Sequence, residues 1–294
     1  MLSSLQPPLE RAVALFGAFV RLRVEDMSAM AGFEATSAAV RGMAQVHRLM
    51  SFHETSSELS RLNREAWIGP VQVSSHTLLV LTEALRIAAA SDGIFDPTIA
   101  PLAVRAGFLP RPPGAREADP SATWRDVHLD PARGTVRFGR PLWIDLGGVA
   151  KGYGVDLATE ILREYGAVQG SVNAGGDLRV FGPRSETVAL DDGVSGRRDV
   201  HGVSVRDCSL ASSGSLSPPR DQVRGRMAHF DGVRRRRSSR RFVSVLADRC
   251  VHADALTKVV MARGAASASL LRNFGASATV CAGPLNWKIY GAAR

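Results

Sequence analysis

Ala253-Asp254-Ala255-Leu256-Thr257-Lys258 sets a carboxylate, a hydroxyl and an ammonium three and four residues apart. On a helix those positions share one face, so the three groups can meet one ligand. A carboxylate and a hydroxyl are hard oxygen donors that suit Mg²⁺ beside a diphosphate. The plainer reading is an Asp–Lys surface ion pair worth about 0.2–0.5 kcal/mol, and on spacing alone it is preferred. A second run, Ile144-Asp145-Leu146-Gly147-Gly148-Val149-Ala150-Lys151-Gly152-Tyr153-Gly154, reads as a strand, a glycine turn and a helix start. Glycines let a backbone approach a ligand, and free N–H groups at a helix N-terminus attract phosphate. Lys151 adds a point charge. The run matches neither GxGxxG nor GxxxxGK[ST], which disfavours both familiar nucleotide-binding folds.

Two further turns carry polar groups. Asn173-Ala174-Gly175-Gly176-Asp177 suits close ligand contact and suits an ordinary turn equally. In Asp92-Gly93-Ile94-Phe95-Asp96-Pro97-Thr98, two carboxylates flank a break, and Asp96 can instead cap a helix beginning at Pro97. His229, in Ala228-His229-Phe230-Asp231-Gly232, has a side chain suited to general-base work near neutral pH. A lone histidine is more often structural, and the other six have no comparable context.

These segments need elements to hold them. Val13 to Val24 reads as one strand by partial alternation. Val40, Met43, Val46 and Met50 recur at helical spacing and predict a helix over 33–50. A polar stretch follows, then a helix from about Ser75 to Ala90. Residues 110–120 read as a Pro-rich surface loop. Short strands are expected at 127–129 and 136–138, joined by a hairpin turn, and at 142–144. A helix should end at Gly166. Strands at 168–173, 178–181, 186–190, 201–206 and 242–246 come next. Helices at 253–263 and 266–273 precede two last strands, at 277–281 and 287–290. Clustered strands without regular βαβ alternation indicate α+β with antiparallel or mixed sheets. The chain reads as one domain over 1–294, with room for two lobes and a basic loop at 232–241.

Composition narrows the class. With 45% hydrophobic and 22% charged residues, the 294-residue chain suits a folded protein with a substantial core. No apolar run approaches the ~20 residues of a membrane span. The net charge is +9, of which Arg234, Arg235, Arg236, Arg237, Arg240 and Arg241 supply six. One such cluster reads as a solvated loop sooner than as a nucleic-acid surface. Cys208, Cys250 and Cys281 are widely separated and imply neither a disulfide framework nor a zinc site. The N-terminus lacks the order of a signal peptide and has no early lipidation cysteine, so as written the chain reads as cytoplasmic.

Taken in order, five motifs resemble the ApbE family, the FAD:protein FMN transferases. They are Ser57-Glu58-Leu59-Ser60-Arg61-Leu62-Asn63, Asp92 to Thr98 with Pro101-Leu102, Ile144 to Asp156, Asn173 to Leu178, and Ala253 to Lys258. The resemblance begins near Phe16-Gly17-Ala18, which stands where the family has Met-Gly-Thr. It implies an ApbE-type α+β fold with FAD in a cleft between lobes. It also implies Mg²⁺-dependent transfer of FMN from FAD to a threonine or serine hydroxyl of an acceptor protein, with release of AMP. Acceptors are typically parts of membrane redox systems, and family members commonly act outside the cytoplasm, which implies a periplasmic location should an export signal be missing here. Ser60, Asp92, Phe95, Asp96, Gly147, Gly148, Lys151, Asn173, Gly175 and Asp177 then fall where the family lines its FAD site. Ala150 matches the position whose main-chain oxygen reaches the metal, and Asp254 matches the carboxylate ligand.

The chain departs from the family at three places. Lys258 stands where the family has a threonine metal ligand, and a protonated amine cannot ligate a cation. Either Thr257 supplies the oxygen, or Lys258 itself neutralises the diphosphate. The stretch around His229 is one residue shorter than the family's His-x-x-Asp-Pro and lacks its proline. The arginine run follows it. Rival readings are an FAD pyrophosphatase, a non-catalytic flavin-binding protein and, more remotely, a nucleic-acid-binding module.

Overall fold

The structure is a computed structural model that describes residues 7–190, 201–214, 229–238, 242–281 and 286–291. Its frame is an eight-stranded, wholly antiparallel sheet in the order β1-β2-β6-β7-β10-β13-β14-β15. These strands are β1 Leu9–Leu15, β2 Ala18–Glu25, β6 Gln169–Ala174, β7 Asp177–Phe181, β10 Ser209–Gly214, β13 Phe242–Ala247, β14 Ser277–Cys281 and β15 Trp287–Gly291. Where the alternation from Val13 to Val24 predicted one strand, there is a hairpin. Phe16 and Gly17 take φ of 54° and 69°, the left-handed conformation of a tight two-residue turn.

Between β2 and β6 the chain builds most of a second layer. It contains α1 Ala29–Met50, α2 Glu58–Glu65, β3 Val71–Gln72, α3 Ser75–Ala90, α4 Ala100–Arg105, β4 Val127–Asp130, β5 Thr135–Phe138 and α5 Ala150–Glu164. Serines accept main-chain N–H groups at the starts of α1, α2 and α3 (Ser28, Ser57 and Ser74). The stripe Ala35, Ala39 and Met43 on α1 is fully buried and packs with Val155, Ala158 and Leu162 of α5 over β2 and β6. α2 lies inside the stretch read as merely polar.

Leu142-Trp143-Ile144 is buried but forms no strand. The side chain of Asn63 takes a sheet partner's place, accepting from the Ile144 N–H at 2.8 Å and donating to its carbonyl at 3.1 Å.

The remaining elements are β8 Glu186–Leu190 paired with β9 His201–Val205, β11 Phe230–Asp231 paired with β12 Arg236–Arg237, α6 Cys250–Arg263 and α7 Ala268–Asn273. α6 covers β10 and β13 with Leu256, Val260 and Met261. β10 has no counterpart among the strands expected from sequence. All three cysteines are buried thiols outside any disulfide. Among the described residues no helix is long and apolar enough to cross a membrane.

Candidate functional site

α5 and α6 cross at very close range, and their crossing sets the site. The Asp156 carboxylate in α5 accepts the Cys250 and Val251 N–H groups at 2.7 and 3.0 Å, capping the start of α6 from outside. Lys151, at the opening of α5, and Asp254 with Lys258, on α6, thereby face one cavity of about 470 Å³. Phe95 and Asp96 close one wall. Gly147 and Gly148 supply the turn, Asp177 sits at the start of β7, and His229 enters just ahead of β11. A second cavity of about 390 Å³ shares Asp145, Gly147 and Lys151 with the first and also reaches Ala150, Phe16 and His53. The glycine turn thus separates two halves of one cleft.

Gly148 has a steric role. A Cβ there would stand 3.2 Å from the Phe95 ring and 3.6 Å from Lys258 Cε. Gly232 has another, since a Cβ would stand 2.2 Å from the Gly93 carbonyl. The Gly232 N–H donates to the Ile94 carbonyl at 3.0 Å, which ties the His229 segment to the Asp92–Thr98 turn.

Two carboxylates and two ammonium groups form the polar centre. Lys258 Nζ is paired with Asp254 Oδ1 and donates to the Asp254 carbonyl at 3.0 Å. Lys151 Nζ stands 3.2 Å from Asp177 Oδ2. Asp254 and Asp177 are 2% and 1% exposed. Burial alone would raise the Asp254 pKa, but Lys258 and Lys151 outweigh it and hold the group below its ordinary value. Asp177 is pushed up to about 7, by burial first and by the nearby Asp254 charge second. Burial would lower the Lys151 pKa, yet Asp177 and Asp254 raise it. The His229 imidazole is pushed down to about 3 by burial, with Lys258 and Lys151 adding to the effect. It is neutral at physiological pH.

This donor set does not fit Mg²⁺ at Asp254. Asp254 Oδ1 and Asp177 Oδ2 are each paired with an ammonium group, and a lysine offers no lone pair to a cation while protonated. Thr257 is fully buried, and its hydroxyl donates to the Asp254 carbonyl at 2.7 Å with Ser213 Oγ at 2.8 Å. It lines neither cavity, so its oxygen is not offered to a ligand. Asp254 Oδ2 is the one buried oxygen of the pair to Lys258 without a hydrogen-bond partner.

Four other expected residues stay apart from the cleft. The Ser60 hydroxyl donates to the Glu54 carbonyl at 2.7 Å within the α2 cap. Asp92 is exposed at φ 52° and borders a separate hollow beside α7. Asn173 Oδ1 accepts the Gly176 N–H at 3.2 Å, and Gly175 takes φ 59°, so both serve the β6–β7 turn. Asp96 does both jobs expected of it, lining the cavity while accepting the Thr98 N–H and hydroxyl at 2.8 and 2.7 Å.

Sequence reading passed over Asp145, Ser212, Ser213 and Phe230, all in the cavity wall. Asp145 lay in plain view inside the glycine run. The serines belong to β10, whose place beside β7 no local pattern announces.

Arg236 and Arg237 are exposed on β12, and Arg237 lies over the Phe108 ring at 5.4 Å. Arg234 is 3.9 Å from Asp231. Arg240 and Arg241 lie outside the described residues, as does Ala228.

Residues 16–280 match the model of the ApbE family. The chain is 31% identical to an FAD:protein FMN transferase of Vibrio cholerae serotype O1, over 76% of this chain and 72% of that protein. It is 30% identical to an FAD:protein FMN transferase of Treponema pallidum, over 90% and 81% of the two chains. The solved flavin transferase ApbE from Vibrio cholerae shares the fold with a TM-score of 0.80 at 23% identity, over 98% and 97% of the two chains. Running from the Phe16 turn into β14, and supported by relatives matched over most of their length, the family match leaves one conclusion: the chain belongs to the ApbE family.

Proposed function

We propose that the protein is an FAD:protein FMN transferase. The observation that carries this reading is one cleft holding a glycine turn, two ammonium groups and a neutral imidazole. The relatives named as such transferases support it. The FAD diphosphate lies against Gly147 and Gly148 at the opening of α5, where the helix dipole favours phosphate, while the Gly147 N–H itself donates to Asp145 Oδ1 at 3.1 Å. Lys151 and Lys258 offset its charge. Flavin and adenosine halves extend to either side of the turn, into the two cavities.

The acceptor's threonine or serine oxygen attacks the phosphorus of the FMN half. The bond from that phosphorus to the bridging oxygen breaks, and AMP leaves with the bridging oxygen. His229, unprotonated but held to about 3 and so a weak base, takes the hydroxyl proton as the new bond forms, and catalysis is chiefly positioning plus charge neutralisation. Phe95, Asp96, Gly147, Gly148, Lys151, Asp177 and Lys258 are the FAD-contacting residues in this reading. Mg²⁺, which the family resemblance implies, finds no donor set at Asp254. The acceptor is expected to be a subunit or domain of a membrane redox system.

The experiment is intact-mass spectrometry of a candidate acceptor after incubation with the protein and FAD. A mass gain equal to FMN, with AMP released in equal amount, supports the transferase. AMP without acceptor modification replaces it with a pyrophosphatase. Neither product, with FAD bound, leaves a flavin-binding protein.

A further inference from the structure

The geometry points to Lys258 as a built-in cation for the diphosphate, so that this protein binds FAD without a divalent metal ion. The inference rests on the FAD reading above and adds how the charge of that substrate is met.

Three observations carry it. First, the Lys258–Asp254 pair is not the exposed helix pair that its four-residue spacing suggests. The two side chains are 15% and 2% exposed, and both line the cavity with Gly148 and His229. Second, the ammonium has three N–H donors. Asp254 takes two of them, through Oδ1 and its main-chain oxygen. Among the described residues the third has only a long 3.5 Å contact with Ser213 Oγ, at the cavity wall. One directed donor is therefore left for a ligand oxygen. Third, the Lys258 stem runs beside the glycine turn: a Cβ added at Gly148 would lie 3.6 Å from Lys258 Cε, an ordinary contact distance. The turn that receives phosphate and the ammonium that neutralises it are thus neighbours. Lys151 repeats the arrangement on Asp177 across the cleft.

A metal ion on the other oxygen, Asp254 Oδ2, would stand beside the ammonium held on Oδ1, two like charges in a site with little water. A fixed ammonium meets the same phosphate charge with no ion to recruit. Asp254 then acts as the holder of Lys258, buried and aimed.

The test is FAD titration of the full chain, followed by flavin fluorescence anisotropy, in EDTA and again in millimolar Mg²⁺. The wild-type dissociation constant should differ by less than about threefold between the two buffers. Lys258→Thr should weaken binding by about tenfold or more in EDTA, and Mg²⁺ should restore much of that loss. Lys258→Met, of similar length and without charge, should weaken binding in both buffers. Thermal unfolding of each variant checks that it is folded. Wild-type binding that appears only with Mg²⁺ overturns the inference while leaving the FAD reading intact. Equal EDTA affinity for wild type and a folded Lys258→Thr also overturns it. No FAD binding by the wild type in either buffer removes the FAD reading itself, and the inference with it. The wild-type comparison needs no variant, so a Lys258 variant that fails to fold does not protect the idea.

Discussion

Gly152 of α5 lies directly against the main-chain carbonyl of Cys250 in α6, so close that an added Cβ would stand 2.5 Å from that oxygen and 2.9 Å from the Val251 Cα. Both obstacles are backbone and cannot rotate aside. Gly152→Ala should therefore wedge the helices apart, with a loss of about 1–3 kcal/mol despite alanine's better helix propensity. Chemical denaturation measures the loss. The same wedge separates Lys151 from Asp254, so FAD affinity should fall as well. A variant as stable as the parent would show that the crossing is looser than described.

His229→Gln should lower FMN transfer by about 10²-fold, the low end for a lost general base, because so weak a base gives little driving force. FAD affinity should change little. Because burial and the two lysines push the imidazole down to about 3, it is already unprotonated at pH 5. The wild-type to variant rate ratio should thus stay level between pH 5 and 7. An ordinary histidine would lose its advantage as pH falls through about 6.5. A ratio that collapses in that interval would contradict the assigned environment.

Lys151→Met leaves Asp177 buried without its ammonium at 3.2 Å. Asp177, already pushed up to about 7, should then bind its proton more tightly. FAD affinity should drop about tenfold, as expected for loss of a charge-assisted phosphate contact. Isothermal titration calorimetry reads the change directly. Unaltered affinity would move the diphosphate away from the opening of α5.

Glu83 links α3 to the start of α6. Its carboxylate lies 3.0 Å from His252 Nε2 and 2.9 Å from the Arg86 guanidinium. The His252 hydrogen bond, against the opposing effect of burial, lowers its pKa to about 2. A depressed carboxylate pKa adds stability above the unfolded-state value, near 4.5, and loses it as pH falls toward the folded-state value. Glu83→Gln should therefore be less stable than wild type at pH 6. The gap should narrow between about pH 4.5 and 2. Urea unfolding of both proteins across that range checks the sign.

Periodicity made the long helices legible. Val40, Met43, Val46 and Met50 lie in α1, and the serine before Ser75 does cap α3. The hairpin at Phe16 was not legible, because a two-residue left-handed turn preserves the alternation on both sides of it. Leu142-Trp143-Ile144 looks like a strand for the right chemical reason, burial, but its partner is the side chain of Asn63, and side-chain pairing leaves no periodic trace. The four-residue spacing of Asp254 and Lys258 was visible. Its burial was not, since that depends on β7, β10 and α5 arriving from elsewhere in the chain. Ser213 was missed for the same reason, as its meaning comes from Thr257 and Lys258 across the strand–helix contact.

In the sheet Leu22 lies opposite Val172, although α1 to α5 intervene in the chain. A ribosome therefore releases β2 long before the strand it must pair with. Until β6 emerges, the early hairpin has an unsatisfied edge, a shape that invites intermolecular pairing. Val20 and Leu22, fully buried in the finished protein, face the same delay. The cleft is assembled later still, because Asp254 and Lys258 arrive after both β10 and β13. Such long-range closure is slow. A nascent chain stalled before α6 would hold the glycine turn and Lys151 but neither Asp254 nor its ammonium partner. Flavin capture thus waits on a chain made through α6.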